Sequence, residues 1–472
     1  MITVYTPPVQ AQPVLFVNED GLDFFNRQLA SKLDGKFGST FWSQLVLQLA
    51  HREPPVRHAV SAISLFCRDI EAGVARQEIT NHDAYREWSK ATRLLSARIQ
   101  AQPDSNFVPL VCCLMFTCIE FIRGNIEASM LHAQSGFNIL SGFRRLQSGL
   151  NSSTSSSRPT SPELDSIEEQ IVPMFSRLQI ICSLAGMITS PLAVAHTTGD
   201  HAPHKDLADS RRRLFQVADP CVRFIHQALP KVTSFSISME DLIEQTKLQS
   251  KLDEWRDRLR ELQHRMDVAG TPLQKDALSI LLVHYKVICI WLQVCVVAGQ
   301  SGTDAYHADF AELVNYAEEV VRPDRSERNP QPQPLSFDLH LLGPLYYTAL
   351  KCRHPVTRRR ALELLRWAPR REGLWNAEYA YATAKRVIEV EERYLQLHGQ
   401  EIPDENERVH GLPLPNNESR VYSVGDLPAG LREGHRSMLP SPKSPGMLEA
   451  VFQMKPWGLM GEWRAVKEYI AL

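Results

Sequence analysis

No two cysteines in these 472 residues stand three positions apart, so the Cys-x2-Cys pair that opens most compact zinc sites is missing. Also absent are Gly-x-Ser-x-Gly, the phosphate-cradling Gly-x4-Gly-Lys-Ser/Thr loop and His-Glu-x-x-His, so no familiar enzyme signature is present. Charge of one sign is lacking as well. Lys+Arg 52 against Asp+Glu 54 leave a formal -2, which argues against a body that grips a phosphate backbone over a broad surface. At the N-terminus no basic flank leads into a long apolar run, so a signal peptide is not expected. The most apolar segment, VPLVCCLMFTCIEF (108–121), falls short of the roughly 20 residues that a membrane span needs. It also carries Glu120, and it reads as a helix sunk in a protein core, with no membrane partner.

The nine cysteines (67, 112, 113, 118, 182, 221, 289, 295 and 352) lie mostly in apolar helical runs, where a reduced thiol packs as a small hydrophobe. That usage points to a reducing, intracellular compartment. Apolar residues recur three and four apart from Leu22 to Leu397, with almost no alternating pattern. The expected fold is therefore all-α, a large array or bundle of helical hairpins.

The expected organisation is a flexible start (1–20), a helical half (21–147), a Ser/Pro-rich flexible insert (148–163), a second helical half (164–399), and a largely disordered tail (400–472) with a short final helix near its end. Ser39 or Thr40 suits the cap of the helix beginning at Phe41, and Gly124 suits the end of the helix before it.

Several constellations invite a function. Leu248, Leu252, Trp255, Leu259, Leu262 and Met266 alternate spacings of four and three, either a short coiled-coil seam that would serve a homodimer or the stripe of an ordinary amphipathic helix docked on its own domain. Arg359, Glu363, Arg366 and Arg370 share one side of a helix that reads as a solvated face with local salt bridges, while the basic run of Arg358, Arg359, Arg360, Arg370 and Arg371 has a nuclear address or direct nucleic-acid contact as its competing uses. His196, His201 and His204, with Asp200 and Asp206, offer ligand types at short range, yet a polar loop explains them. Glu120, Arg123 and His132 flank the Gly124 turn and are expected to make a structural polar contact. Cys112, Cys113 and Cys118 read as packing residues, and Thr160 to Glu163 and Ser441 to Pro445 carry serine before proline in segments expected to be mobile.

FWSQLVLQLAHREPPVRHAVSAIS (41–64), YREWSKATRLL (85–95), CIEFIRGNIEASMLHAQSGFNIL (118–140) and LYYTALKCRHPVTRRRALELLRWAPRREGLW (345–375) follow one another in order. Together they resemble the regulatory region of fungal zinc binuclear cluster transcription factors. Trp42, Arg57-His58-Ala59, Glu120, Arg123-Gly124, His132 and Arg371-Glu372-Gly373-Leu374-Trp375 carry the likeness.

The resemblance implies an α-helical regulatory module in the nucleus, which in that family follows a DNA-binding head of six cysteines around two zinc ions. Those cysteines are not in this sequence, so zinc is expected only if a cluster lies upstream, and no other cofactor is expected. The implied partners are other transcription regulators or coactivators, with DNA reached indirectly or through the missing head. A helical scaffold unrelated to transcription is the alternative.

Overall fold

A computed structural model describes residues 19–37, 40–71, 81–151, 166–184, 202–270, 274–321, 335–337, 340–397, 414–425, 441–444 and 446–472. The chain is mainly α-helical and divides into two compact units: Met1–Ile181, Thr189–Asp200 and Pro334–Asp338 form the first, and Cys182–Ile188, His201–Gln333 and Leu339–Leu472 the second.

The first unit opens with helical stretches α1 (19–34) and α2 (41–52). Thr40 stands at the expected cap, but its side chain makes no capping bond, and Ser39 lies outside the described residues. The cap comes from Asp34, whose carboxylate accepts the backbone N–H of Trp42 at 2.9 Å and of Ser43 at 3.0 Å. This satisfies two of the amide groups that a helix start leaves without partners. Trp42 is thereby held edge-on to Phe41 (4.9 Å between centroids) and Phe337 (5.3 Å), wholly out of solvent.

Helix α3 (Pro54–Glu71) starts on two prolines, where a missing N–H costs little. Helix α4 (His82–Ala101) is capped by Asn81, which accepts from Ala84 N at 3.1 Å. Helix α5 (Phe107–Arg123) is buried on every side through Ile122, as an all-round apolar sequence requires. It ends at Gly124, whose φ of 67° and ψ of 28° complete the expected left-handed terminus. Helix α6 (Ile126–Asn151) takes in Ser148 to Asn151, which corrects the expected start of the flexible insert: helix propagation carries through these residues, and the rest of the insert lies outside the described residues. Helix α7 (167–184) follows and runs on into the second unit's residues.

The second unit holds α8 (Leu207–Thr233), α9 (Met239–Val268), α10 (Lys275–Val294), α11 (His307–Val321), α12 (Leu342–Lys351), α13 (Pro355–Leu364) and α14 (Ala377–Leu397). Helix α10, rather than 108–121, is long and apolar enough to cross a membrane. It packs against α8, α9 and α11, with more than half of its most apolar stretch buried inside the protein, as a core helix does.

A two-residue hairpin, β1 (Arg371–Glu372) with β2 (Trp375–Asn376), turns at Gly373 and aims Glu372 at the start of α12. There its carboxylate accepts from the backbone N–H groups of His340 (2.8 Å), Leu341 and Leu342 (3.0 Å each). This remote cap accounts for the glutamate of the Arg-Glu-Gly-Leu-Trp segment.

The expected tail is corrected most. Residues 414–472 hold no α-helix among those described, but an antiparallel sheet of β3 (Val421–Val424), β4 (Ser441–Ser444), β5 (Met447–Met454) and β6 (Arg464–Ala471). Central β5 pairs with β6 along its length, while β3 and β4 pair with its two ends. Leu448, Ala450 and Phe452 alternate inward to pack with Val387 of α14, the period-two signature of a strand with one covered face. Ser441 to Ser444 are thus strand rather than mobile chain, and Pro445 lies outside the described residues, as do 160–163.

Candidate functional site

A dense set of ionisable groups lies inside the second unit, where the α12–α13 turn meets α14 and β3. Arg353 and Arg358 are both fully buried, a state that arginine reaches only when its donors find acceptors. Glu391 supplies them: Arg353 Nη2 donates to its Oε1 at 3.1 Å and Arg358 Nη2 to its Oε2 at 2.8 Å. The backbone N–H of Val421 adds a third bond to the same carboxylate at 2.9 Å. Burial alone would raise the Glu391 pKa, but the two guanidinium groups overcome it and hold the carboxyl at about 2. Glu392 takes Arg359 at 3.2 Å, and Glu318 takes Arg360 at 2.8 Å.

Lys351 extends the network, donating to Gln300 Oε1 and to the Tyr422 carbonyl at 2.6 Å each. Burial, aided by Arg353, lowers its pKa to about 7. Arg420 pairs with Asp304 at 2.8 Å. The arrangement clamps β3 onto the helices.

Of the expected solvated face, Glu363, Arg366 and Arg370 are exposed, with Arg366 paired to Glu363 at 3.2 Å, while Arg359 is half-buried. Arg358 and Arg371 are buried, Arg359 and Arg360 are half-buried and paired, and Arg370 is exposed. Helix α13 ends at Leu364, so Arg366 and Arg370 lie beyond the expected helical face, and Glu391 and Glu392, about thirty residues away in sequence, draw Arg358 inward.

The seam residues Leu248, Leu252, Trp255, Leu259 and Leu262 are buried and Met266 half-buried, on a helix packed between α8 and α10. Trp255 Nε1 donates to the Ser210 carbonyl at 2.8 Å. The seam is occupied by the chain itself, so it offers no edge to a second copy.

Glu120 and Arg123 do meet, at 2.6 and 2.8 Å, with the guanidinium lying over Tyr85 (5.0 Å) and Trp88 (4.7 Å). Burial raises the Glu120 pKa against the pull of Arg123. His132 instead faces the Phe116 ring at 5.4 Å, and burial lowers its pKa.

His204 is buried and Asp206 caps α8 through Asp209 N at 2.7 Å, while His196, Asp200 and His201 lie outside the described residues. Among the described residues no group of three or more His, Cys, Asp or Glu is placed to hold a metal. Cys112, Cys113 and Cys118 are buried, with burial raising each thiol pKa.

Other residues of the quoted segments also make internal contacts. Arg57 donates to the Ala50 and His51 carbonyls at 2.9 Å each, closing the end of α2, and His58 Nδ1 meets Glu87 Oε2 at 2.5 Å.

One surface feature escaped the sequence reading. Phe235, Met239, Leu242 and Ile243, at the α8–α9 turn, are all exposed. Their signal is that 242 and 243 break the step of the seam, whose backward continuation from Leu248 passes through Gln245 and Asp241.

No family model matches the chain, and no solved structure matches it. The chain is similar to the transcription regulator lscL of Purpureocillium lilacinum, being 24% identical over 296 residues that span 57% of this chain and 69% of the relative.

Proposed function

We propose that the chain is a nuclear transcription regulator of the fungal zinc-cluster type, working through a helical region that binds other proteins. The single observation that carries this reading is the 296-residue similarity to a named transcription regulator. DNA contact is supplied by a partner or by a six-cysteine head outside this sequence, so the chain needs no metal of its own.

A non-enzymatic role agrees with the chemistry of the polar cluster. Its carboxylates face guanidinium groups rather than an open space, and Lys351 is committed to acceptors on β3 and Gln300. Such pairs hold β3 against the helices.

The test fuses the whole chain to a heterologous DNA-binding domain and reads a reporter gene in a fungal cell. A change in reporter output, with nuclear accumulation of the unfused chain, supports the regulator. An unchanged reporter with persistent exclusion from the nucleus overturns it in favour of a scaffold outside transcription. Tight sequence-specific DNA binding by the chain alone in a gel-shift assay overturns the partner-dependent version.

A further inference from the structure

Phe235 is the only non-glycine with a positive φ, 54°, among the described residues. It sits just past α8, in a turn closed by Ser236 N to the Lys231 carbonyl at 2.8 Å and Phe235 N to the Val232 carbonyl at 3.2 Å. That left-handed position ordinarily belongs to glycine or asparagine, because a Cβ is strained there. Burial of the ring would offset this strain, yet Phe235 as a residue is 52% exposed. The strain has no return within the fold, as happens where a residue serves an outside contact.

The ring is not isolated. Met239 (67% exposed), Leu242 and Ile243 (49%) continue it along the first two turns of α9. The inward face of those turns is fixed by Gln245, which donates to the Leu292 and Gln293 carbonyls of α10 at 2.8 and 3.2 Å. Residues 239, 242 and 243 lie on the face opposite the buried seam. The helical part of the stripe, Met239 to Ile243, is about 6 Å long, and Phe235 extends it into the preceding turn.

Beyond the end of α10, Val297 is exposed too. Leu459 of the β5–β6 loop packs so closely on Gly299 that a Cβ there would meet its Cδ2 at 2.8 Å, and that loop exposes Trp457 and Met460. Aromatic and methionine side chains of this kind are enriched at protein interfaces.

Charge selects the occupant. Glu240 and Glu244 flank the stripe with one ammonium group, Lys247, 3.8 Å from Glu244, while Asp241 lies on the inward line and is taken by Lys231 at 2.5 Å. The border is net acidic. A second copy related by a two-fold axis would bring acidic border to acidic border, whereas a basic flank is attracted.

We propose that the stripe Phe235, Met239, Leu242 and Ile243 docks an amphipathic helix of a partner protein, with that helix's Lys/Arg flank set against Glu240 and Glu244. This deepens the partner-binding reading above and rests on it.

The test uses the full chain and two synthetic helix-forming peptides with leucines at i, i+3, i+4 and i+7, one flanked by lysines and one by glutamates. Fluorescence anisotropy at low salt is expected to show the lysine-flanked peptide binding about tenfold more tightly. Phe235→Asn is expected to weaken it by a similar factor while leaving the melting temperature unchanged or higher, because asparagine accepts the left-handed backbone. Glu240→Lys is expected to shrink the preference between the peptides.

Equal binding of both peptides, or binding indifferent to Phe235→Asn, overturns the proposal. So does a concentration-dependent dimer abolished by Phe235→Asn, which would assign the stripe to a second copy. A reporter that responds while the peptides fail to bind sinks only this docking surface. Peptide binding with a silent reporter sinks only the transcriptional role.

Discussion

Arg353 donates to Glu391 at 3.1 Å with both side chains wholly out of solvent. Because Arg358 leans on the same carboxylate at 2.8 Å, removing Glu391 strands two buried cations at once. Glu391→Ala is expected to destabilise the fold by roughly 3–5 kcal/mol, the usual penalty for breaking a buried pair. Urea unfolding measures it, and faster hydrogen exchange at the Val421 amide should accompany it, since that N–H loses its acceptor.

Acid should weaken the fold in two stages. Burial lowers the pKa of His132, His226, His307 and His354, and takes that of His204 to about 4. The unfolded chain binds these protons near the free histidine value of about 6.5. The histidine contribution is therefore complete above that pH and falls as pH drops through 6.5 towards 4, whereas Lys351, held at about 7, gives a separate loss at higher pH, as pH falls from about 10.4 towards 7.

Glu391, depressed to about 2, carries the loss onward from about 4.3, where a free glutamate titrates. Denaturant midpoints measured between pH 8 and pH 3 should decline monotonically. A midpoint that rises towards pH 5 would contradict the assignment of the histidines as neutral.

Gly136 has no room for a side chain: a Cβ would stand 2.3 Å from Cε1 of the buried Phe175 ring. Gly136→Ala is expected to cost about 1–3 kcal/mol by overpacking. Phe175→Leu in the same chain should recover part of it in thermal melts.

Asp34→Ala removes the acceptor of two backbone N–H groups and is expected to cost about 1–2 kcal/mol, the scale of a lost cap. Thr40→Val should change the melting temperature little, because the Thr40 side chain makes no cap. The reverse ranking would place the cap at Thr40.

The thiols should be inert while the protein is folded. All nine are free, and all but the half-buried Cys289 are buried. Burial raises the pKa of Cys67, Cys113 and Cys182 to about 12. An aromatic disulfide reagent at pH 8 should label Cys289 first and the rest only in denaturant, since the thiolate is the reacting form.

The dihedral and periodic parts of this protein were legible along the chain. Helix α5 could be read as a buried rod because every one of its faces is apolar, and Gly124 as its end because only glycine turns left-handed there without strain. The seam of α9 was equally visible, as a spacing.

The sheet of 414–472 was not. Its strands are short and separated by proline- and glycine-rich chain, and β5 alternates over only eight residues, a signal too brief beside the disorder-like composition around it.

The candidate site was legible in kind and not in role. Arginine content is local information and could be counted. Which arginines are buried depends on acceptors on α14 and β3, and no local pattern carries that.

Local propensity and periodicity, acting between residues a few positions apart, thus determined by themselves the helices, the turn at Gly124 and the apolar seam. Only tertiary structure decided that Glu391 neutralises Arg353 and Arg358, that Glu372 caps a helix thirty residues before it, and that Phe235 is left facing solvent. The physical reason is that burial and electrostatics depend on distance in space, which the order of residues does not record.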